Sequence, residues 1–144
     1  MKHHNKPGWV LARGSSAILL VIIGITALLG GSALIIDPSG QSMNLNVEGL
    51  AGTVFEDYMV PGIILFLLIG VLSLSAAMLV FSNFKYFPVL IFYQGLILTG
   101  WIMVQIYLIP DVHMMQVIYG LFGIMLMFFG SYFLIKTNQS EILY

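Results

Sequence analysis

The chain has 144 residues, enough for one domain, and is 60% hydrophobic with only 8% charged side chains, where a soluble domain carries about 25% charged residues. A formal net charge of −1 offers no basic surface to nucleic acid, and the lack of cysteine excludes disulfides, thiolate nucleophiles and thiolate-bound metals together. With a mean hydropathy of +1.02, the composition points to a lipid environment.

In chain order, four apolar stretches are each long enough to cross a hydrocarbon core of about 30 Å: 15–36, 60–81, 88–109 and 114–135. Each is apolar all round instead of alternating, so the spans are helices and not barrel strands. The first follows a basic start. Gly31-Ser32-Ala33 near its end invites a signal-peptide reading, but its apolar run of about 20 residues exceeds the usual 7–15. Asp37-Pro38-Ser39-Gly40 is a turn signal that closes this span.

The loop 37–59 follows. Within it Met43, Leu45 and Val47 alternate with Asn44, Asn46 and Glu48, which predicts a short extended piece on the bilayer surface. Phe55 and Tyr58 are aromatics of the type that anchors at headgroup level. Pro61 and Pro88 fall in the first turns of the second and third spans, where no N–H is required, and Pro110-Asp111 closes the third.

All five basic residues (Lys2, Lys6, Arg13, Lys85 and Lys136) fall on one side of the weave. Basic residues are retained in the cytoplasm. The expected protein is therefore an all-α, four-transmembrane-helix bundle, with both termini cytoplasmic and the 37–59 loop capping its outer end.

Helical spacing sets the faces. Gly24, Ala27 and Gly31 form one small-residue stripe, Gly120, Gly123 and Gly130 a second, and Ser73, Ala76 and Ala77 a third. Small residues let membrane helices approach closely; packing within the chain and a homo-oligomer seam both fit them. In the third span Gln94, Trp101 and Gln105 share one stripe, which should face protein because an unpartnered amide in hydrocarbon costs several kcal/mol. Gln116 and Tyr119 lie near the depth of Gln105. These residues, with Glu56 or Asp57 from the loop above, predict a polar cluster at the outer mouth. It is either hydrogen-bonding glue between helices or a small pocket for a lipid headgroup or quinone-like ligand.

Several chemistries lack their residues. An intramembrane metal needs ligands at depth, and His3, His4 and His113 all lie outside the spans. Met114 and Met115 beside His113 are too few to make a copper site. No cofactor or metal is expected. Proton-coupled export needs an ionisable group within a span, and none is there. An interfacial enzyme acting on lipid headgroups would have to use Glu56, Asp57, Tyr58, Asp111 and His113, with His113 as a general base.

The stretch Phe55-Glu56-Asp57-Tyr58-Met59-Val60-Pro61-Gly62, with Gly100, Trp101-Ile102 and Gln105 in the third span, resembles an uncharacterised family of small bacterial four-span membrane proteins. That family's loop motif reads roughly Pro-Phe-x-Asp-Tyr-x-x-Pro-Gly. This chain departs from it at Val54, where the family has proline. The resemblance implies the fold and topology and no activity, and it groups Phe55, Asp57, Tyr58, Trp101 and Gln105 at the outer mouth. The leading expectation is a non-enzymatic accessory or small-ligand-binding bundle. A homo-oligomeric transporter or channel component and the interfacial enzyme are its rivals.

Overall fold

The structure, a computed structural model, describes residues 7–45, 47–108 and 113–141. It is an all-α bundle of four helices long and apolar enough to cross a membrane: α1 (Pro7–Ile36), α2 (Met59–Phe81), α3 (Phe87–Leu108) and α4 (Met114–Glu141). At 1.5 Å per residue α1 is about 45 Å long and α4 about 42 Å, well beyond the hydrocarbon thickness. The α1 helix begins eight residues before the expected span and α4 runs six beyond it. Both extensions lie at the end that holds Arg13, Lys85 and Lys136, here called the basic end. The other end, with the 37–59 loop, is the cap end.

Two tightly welded hairpins make up the bundle, α1 with α2 and α3 with α4, and the seams between them are sparsely packed. The weld is glycine on glycine. A Cβ placed on Gly31 would lie 2.8 Å from the Gly62 carbonyl oxygen, and one on Gly95 would lie 2.6 Å from that of Gly123. Gly24 meets Gly70 and Leu74 in the first hairpin, and Gly130 meets Phe92 in the second. The stripes of small residues are thus occupied within the chain, where dispersion between close backbones replaces the hydrophobic drive that lipid cancels. Gly120 is looser, its nearest neighbour an Ile102 methyl at 3.7 Å, and Ala27 is buried at the middle of the bundle. Ile18, Leu29, Met78, Leu121 and Phe128 turn outward, as lipid contact requires.

Three features close the seams. At the basic end Trp9, Phe87 and Phe133 stack edge to face, with ring centroids 4.8 Å apart for Trp9–Phe133 and 5.2 Å for Phe87–Phe133, a geometry the ring quadrupoles favour. Nearer the middle, α2 widens into a π-helix over Leu65–Val71. Such a turn disturbs the regular ladder of backbone bonds, and a carbonyl without a full partner is costly in lipid. Gln94 on α3 supplies the donors. Its Nε2 donates to the Ser73 hydroxyl at 2.8 Å and the Leu68 carbonyl at 3.2 Å, and a longer contact of 3.5 Å reaches the Ile69 carbonyl. Gln94 is buried, as is Ser73. On the other seam the Tyr119 hydroxyl donates to Thr26 Oγ1 at 2.5 Å, tying α4 to α1.

The loop differs from its expected form. The alternating residues after Gly40 do not extend; they turn through 3-10 segments at Gln41–Met43 and Val47–Leu50. Leu45 and Val47 fold under instead of lying along the surface, packing with Phe55 on the buried trio Leu34, Leu50 and Tyr58. Burying these side chains outweighed the period-two pattern. Asn46, Pro110 and Asp111 lie outside the described residues, as does the proposed role of Asp111 in an enzyme.

Substituting Gln94→Leu removes a donor shared by three acceptors. Membrane hydrogen bonds average about 0.6 kcal/mol in cycles where both partners find alternatives. Because the Leu68 carbonyl sits in a π turn, the expected loss is larger, about 1–2 kcal/mol, measurable by SDS titration in mixed micelles.

Candidate functional site

The chain reverses at Asp37 through a set of short-range bonds. Asp37 Oδ1 accepts from the Ser39 amide at 3.2 Å and the Ser39 hydroxyl at 2.5 Å, and Oδ2 accepts from the Ser42 amide at 2.9 Å. The Ser39 hydroxyl and the Ser42 amide hold this carboxyl below its ordinary pKa of 3.8. Gly40 follows at φ 73°, a left-handed conformation natural to glycine. A Cβ there would also lie 2.9 Å from the Tyr58 ring. The Tyr58 amide donates to the Pro38 carbonyl at 3.0 Å, so both ends of the loop close on each other and Tyr58 is pressed inward. Burial holds its phenol above the ordinary pKa of 10.0, and it stays neutral.

Beneath this roof lies a cavity of about 650 Å³ between the two hairpins, within the range of small-molecule sites. Its lining includes Thr26, Ala27, Gly30 and Leu34 of α1, Pro61 and Leu65 of α2, Trp101 and Gln105 of α3, and Gln116 and Tyr119 of α4, with His113 at the rim. From the roof come Met43, Leu45, Leu50, Phe55 and Tyr58. Thr26 and Leu98 are each ten residues from the cap-end termini of their helices, so the cavity reaches about 15 Å down, near mid-bilayer.

Of the eight residues expected at the outer mouth, Phe55, Tyr58, Trp101, Gln105, Gln116 and Tyr119 line this cavity, and Glu56 and Asp57 do not. Glu56 is exposed. The Asp57 carboxylate accepts from the Met59 amide at 2.9 Å, satisfying an orphan N–H at the start of α2; the bond turns it away from the cavity. Gln116 also has a structural duty. Its Oε1 accepts from the His113 backbone amide at 3.0 Å, the glutamine half of a capping box, while the Gln116 backbone N–H donates to the His113 carbonyl at 3.0 Å. Gln94 belongs to the seam and is absent from the lining.

The hydrogen-bond inventory of the wall is one-sided. Trp101 Nε1 is buried with no partner among the described residues. Neither the Gln105 amide nor Gln116 Nε2 is bonded by any described group, although Gln116 is only 7% exposed. An indole N–H can only donate, and a buried donor left unmade costs about 1–3 kcal/mol. The described lining contains no lysine, arginine, aspartate or glutamate. It suits an uncharged group that carries acceptors. Among the described residues the histidine at the rim has no carboxylate beside it in the lining, and no group of three or more metal-ligating side chains occurs.

Thr26 was not singled out from the sequence. A lone hydroxyl inside a span usually bonds its own helix, as Thr26 does to the Ile22 and Ile23 carbonyls at 2.6 and 3.1 Å, and its partner outside that helix lies 93 residues away. The Gln116 cap has a readable signal, a glutamine three residues after the capping position His113, but lacks the serine or threonine that usually announces it. Comparison with protein-family models, curated proteins and solved structures gives no match.

The Asp37 contacts carry a pH dependence. Because folding lowers the carboxyl pKa, its bonds stabilise the loop fully above about pH 4, its unfolded range, and weaken as acid protonates it. Hydrogen-exchange protection of the loop amides, taken relative to the intrinsic rate at each pH, should be high at pH 7 and fall below pH 4, and Asp37→Ala should bring that lower protection to pH 7.

Proposed function

We propose that this protein is a non-enzymatic binding bundle that holds the uncharged, acceptor-bearing part of a lipid or quinone-like molecule in its capped cavity. The observation that carries the reading is the buried Trp101 Nε1 without a partner in the wall of a 650 Å³ space. Gln105 one turn above it and Gln116 across the cavity offer further donors to the same occupant. An apolar wall with a few convergent polar groups is the usual build of a small-molecule site. The protein would act as an accessory to a larger membrane system, presenting or storing its ligand. Of the carboxylates the interfacial-enzyme reading would use with His113, Glu56 and Asp57 stand outside the lining and Asp111 lies outside the described residues. A homo-oligomeric transporter would need seams beyond the glycine faces, which the chain occupies itself.

In this reading the bundle sits in the bacterial inner membrane with both termini cytoplasmic and the cap outside. Arg13, Lys85 and Lys136 at the end opposite the cap support that orientation. The resemblance to small bacterial four-span proteins supports it too. A cysteine in place of Glu48 should react with an impermeant maleimide on intact cells, and one in place of Lys85 should not; the reverse pattern would invert the topology.

Binding is checked on purified protein in nanodiscs with a decyl-benzoquinone as probe. Wild type should show a ligand-dependent rise in melting temperature. Trp101→Phe and Gln105→Leu should each weaken binding about five- to tenfold, equivalent to ~1–1.4 kcal/mol per hydrogen bond, with little change in the unliganded melting temperature. Unchanged affinity in both variants would remove the cavity from the reading.

A further inference from the structure

The cavity has a built roof, a closed floor and a weak side. Overhead, Leu34, Leu50 and Tyr58 are buried and packed, and the Asp37 bonds with the Tyr58–Pro38 bond pin the loop over them. Toward the basic end the aromatic cluster fills the interior. The lateral wall between α1 and α4 is different. Those helices touch sparsely, and the Tyr119–Thr26 bond is the one side-chain hydrogen bond joining them among the described residues. Thr26 is exposed and lines the cavity at this seam. Met115, 60% exposed, and Met43, 42% exposed, flank the same opening. Both are unbranched side chains that adapt easily. Between them Gly30 contributes no side chain: a Cβ there would meet Leu65 at 3.4 Å and the Met43 methyl at 3.9 Å, ordinary contacts.

We infer that the cavity is filled sideways from the bilayer, by an amphipath whose uncharged, acceptor-bearing head lies under the roof and whose hydrocarbon tail leaves between α1 and α4 above the Thr26–Tyr119 pair. This rests on the binding reading above and names the ligand class: a membrane-dissolved molecule with a tail, not a solute taken from water. The absence of charged side chains in the described lining fits such a head, since a phosphate or ammonium entering it would lose its hydration with no counter-charge supplied. Ring carbonyls of a quinone and ester carbonyls of a diacylglycerol present the same acceptor chemistry.

The chain has two tryptophans, so Trp9→Phe leaves Trp101 as sole indole reporter in the cavity wall. In nanodiscs of zwitterionic lipid, decyl-benzoquinone should quench this protein saturably, and the tail-less ring should need at least a tenfold higher membrane-phase concentration for the same quenching. Acrylamide, confined to water, should quench weakly. Met115→Phe, on the exposed flank, should slow quenching by the tailed probe at least severalfold, and Gly30→Leu, projecting into the opening, provides a second obstruction should the first variant fold poorly. A dioctanoylglycerol arm separates the sources: displacement of the quinone assigns the site to ester carbonyls as well, and failure to displace assigns it to the ring, both with lateral entry intact. Equal binding of tailed and tail-less rings, with strong acrylamide quenching, would overturn lateral entry and leave the binding reading standing. If neither ring quenches saturably and the diacylglycerol does not shift the melting temperature, both fall.

Discussion

An amide in hydrocarbon must find partners, and Gln94 finds them across the seam that most needs joining. Its Nε2 reaches the Ser73 hydroxyl and the carbonyls of a π-helical turn in the facing helix. The widened turn and the glutamine are two halves of one arrangement: the turn presents the Leu68 and Ile69 carbonyls to α3, and the glutamine donates to them where water cannot. Each hairpin is already locked by close glycine contacts, so the relation between hairpins falls to this amide, the Thr26–Tyr119 pair and the aromatic rings at the basic end.

The cavity begins where that joining stops. Gln94 and Gln105 sit on one helix, eleven residues apart, in opposite situations. The first is buried with its donors used; the second is half-buried with its amide unmatched by any described group. Trp101 lies between them and is likewise unmatched at Nε1. A native membrane bundle rarely leaves several donors idle in one wall, and the same wall is short of charge. The chemistry of the missing partner follows from this imbalance: it accepts, it is uncharged, and it tolerates aromatic neighbours such as Phe55, Tyr58 and Tyr119.

Much of this was legible in the residues because helical geometry is periodic. Spans, small-residue stripes and the common depth of Trp101, Gln105, Gln116 and Tyr119 all follow from spacing alone. Other features are set by tertiary contact. Nothing local in Leu65–Val71 announces a π-helix; the turn faces Gln94, more than twenty residues on. The alternation in the loop was real, but it served packing under a roof of 3-10 turns instead of an extended edge. Asp57 drew attention as an acid near an aromatic, and its neighbour Met59 at the helix start proved the stronger claim on it. Thr26 was invisible because its significance depends on a tyrosine 93 residues away.

The rings of Trp9, Phe87 and Phe133 have a consequence for the membrane as a whole. Among the described residues they fill the interior on the far side of the cavity, so the space beneath the cap ends there as a blind alley. Protons hop readily along continuous files of water, and a thoroughfare of that kind would drain any electrochemical gradient held across the bilayer. With the alley stopped by stacked hydrocarbon, the bundle can keep a hollow nearly half the bilayer deep and still insulate.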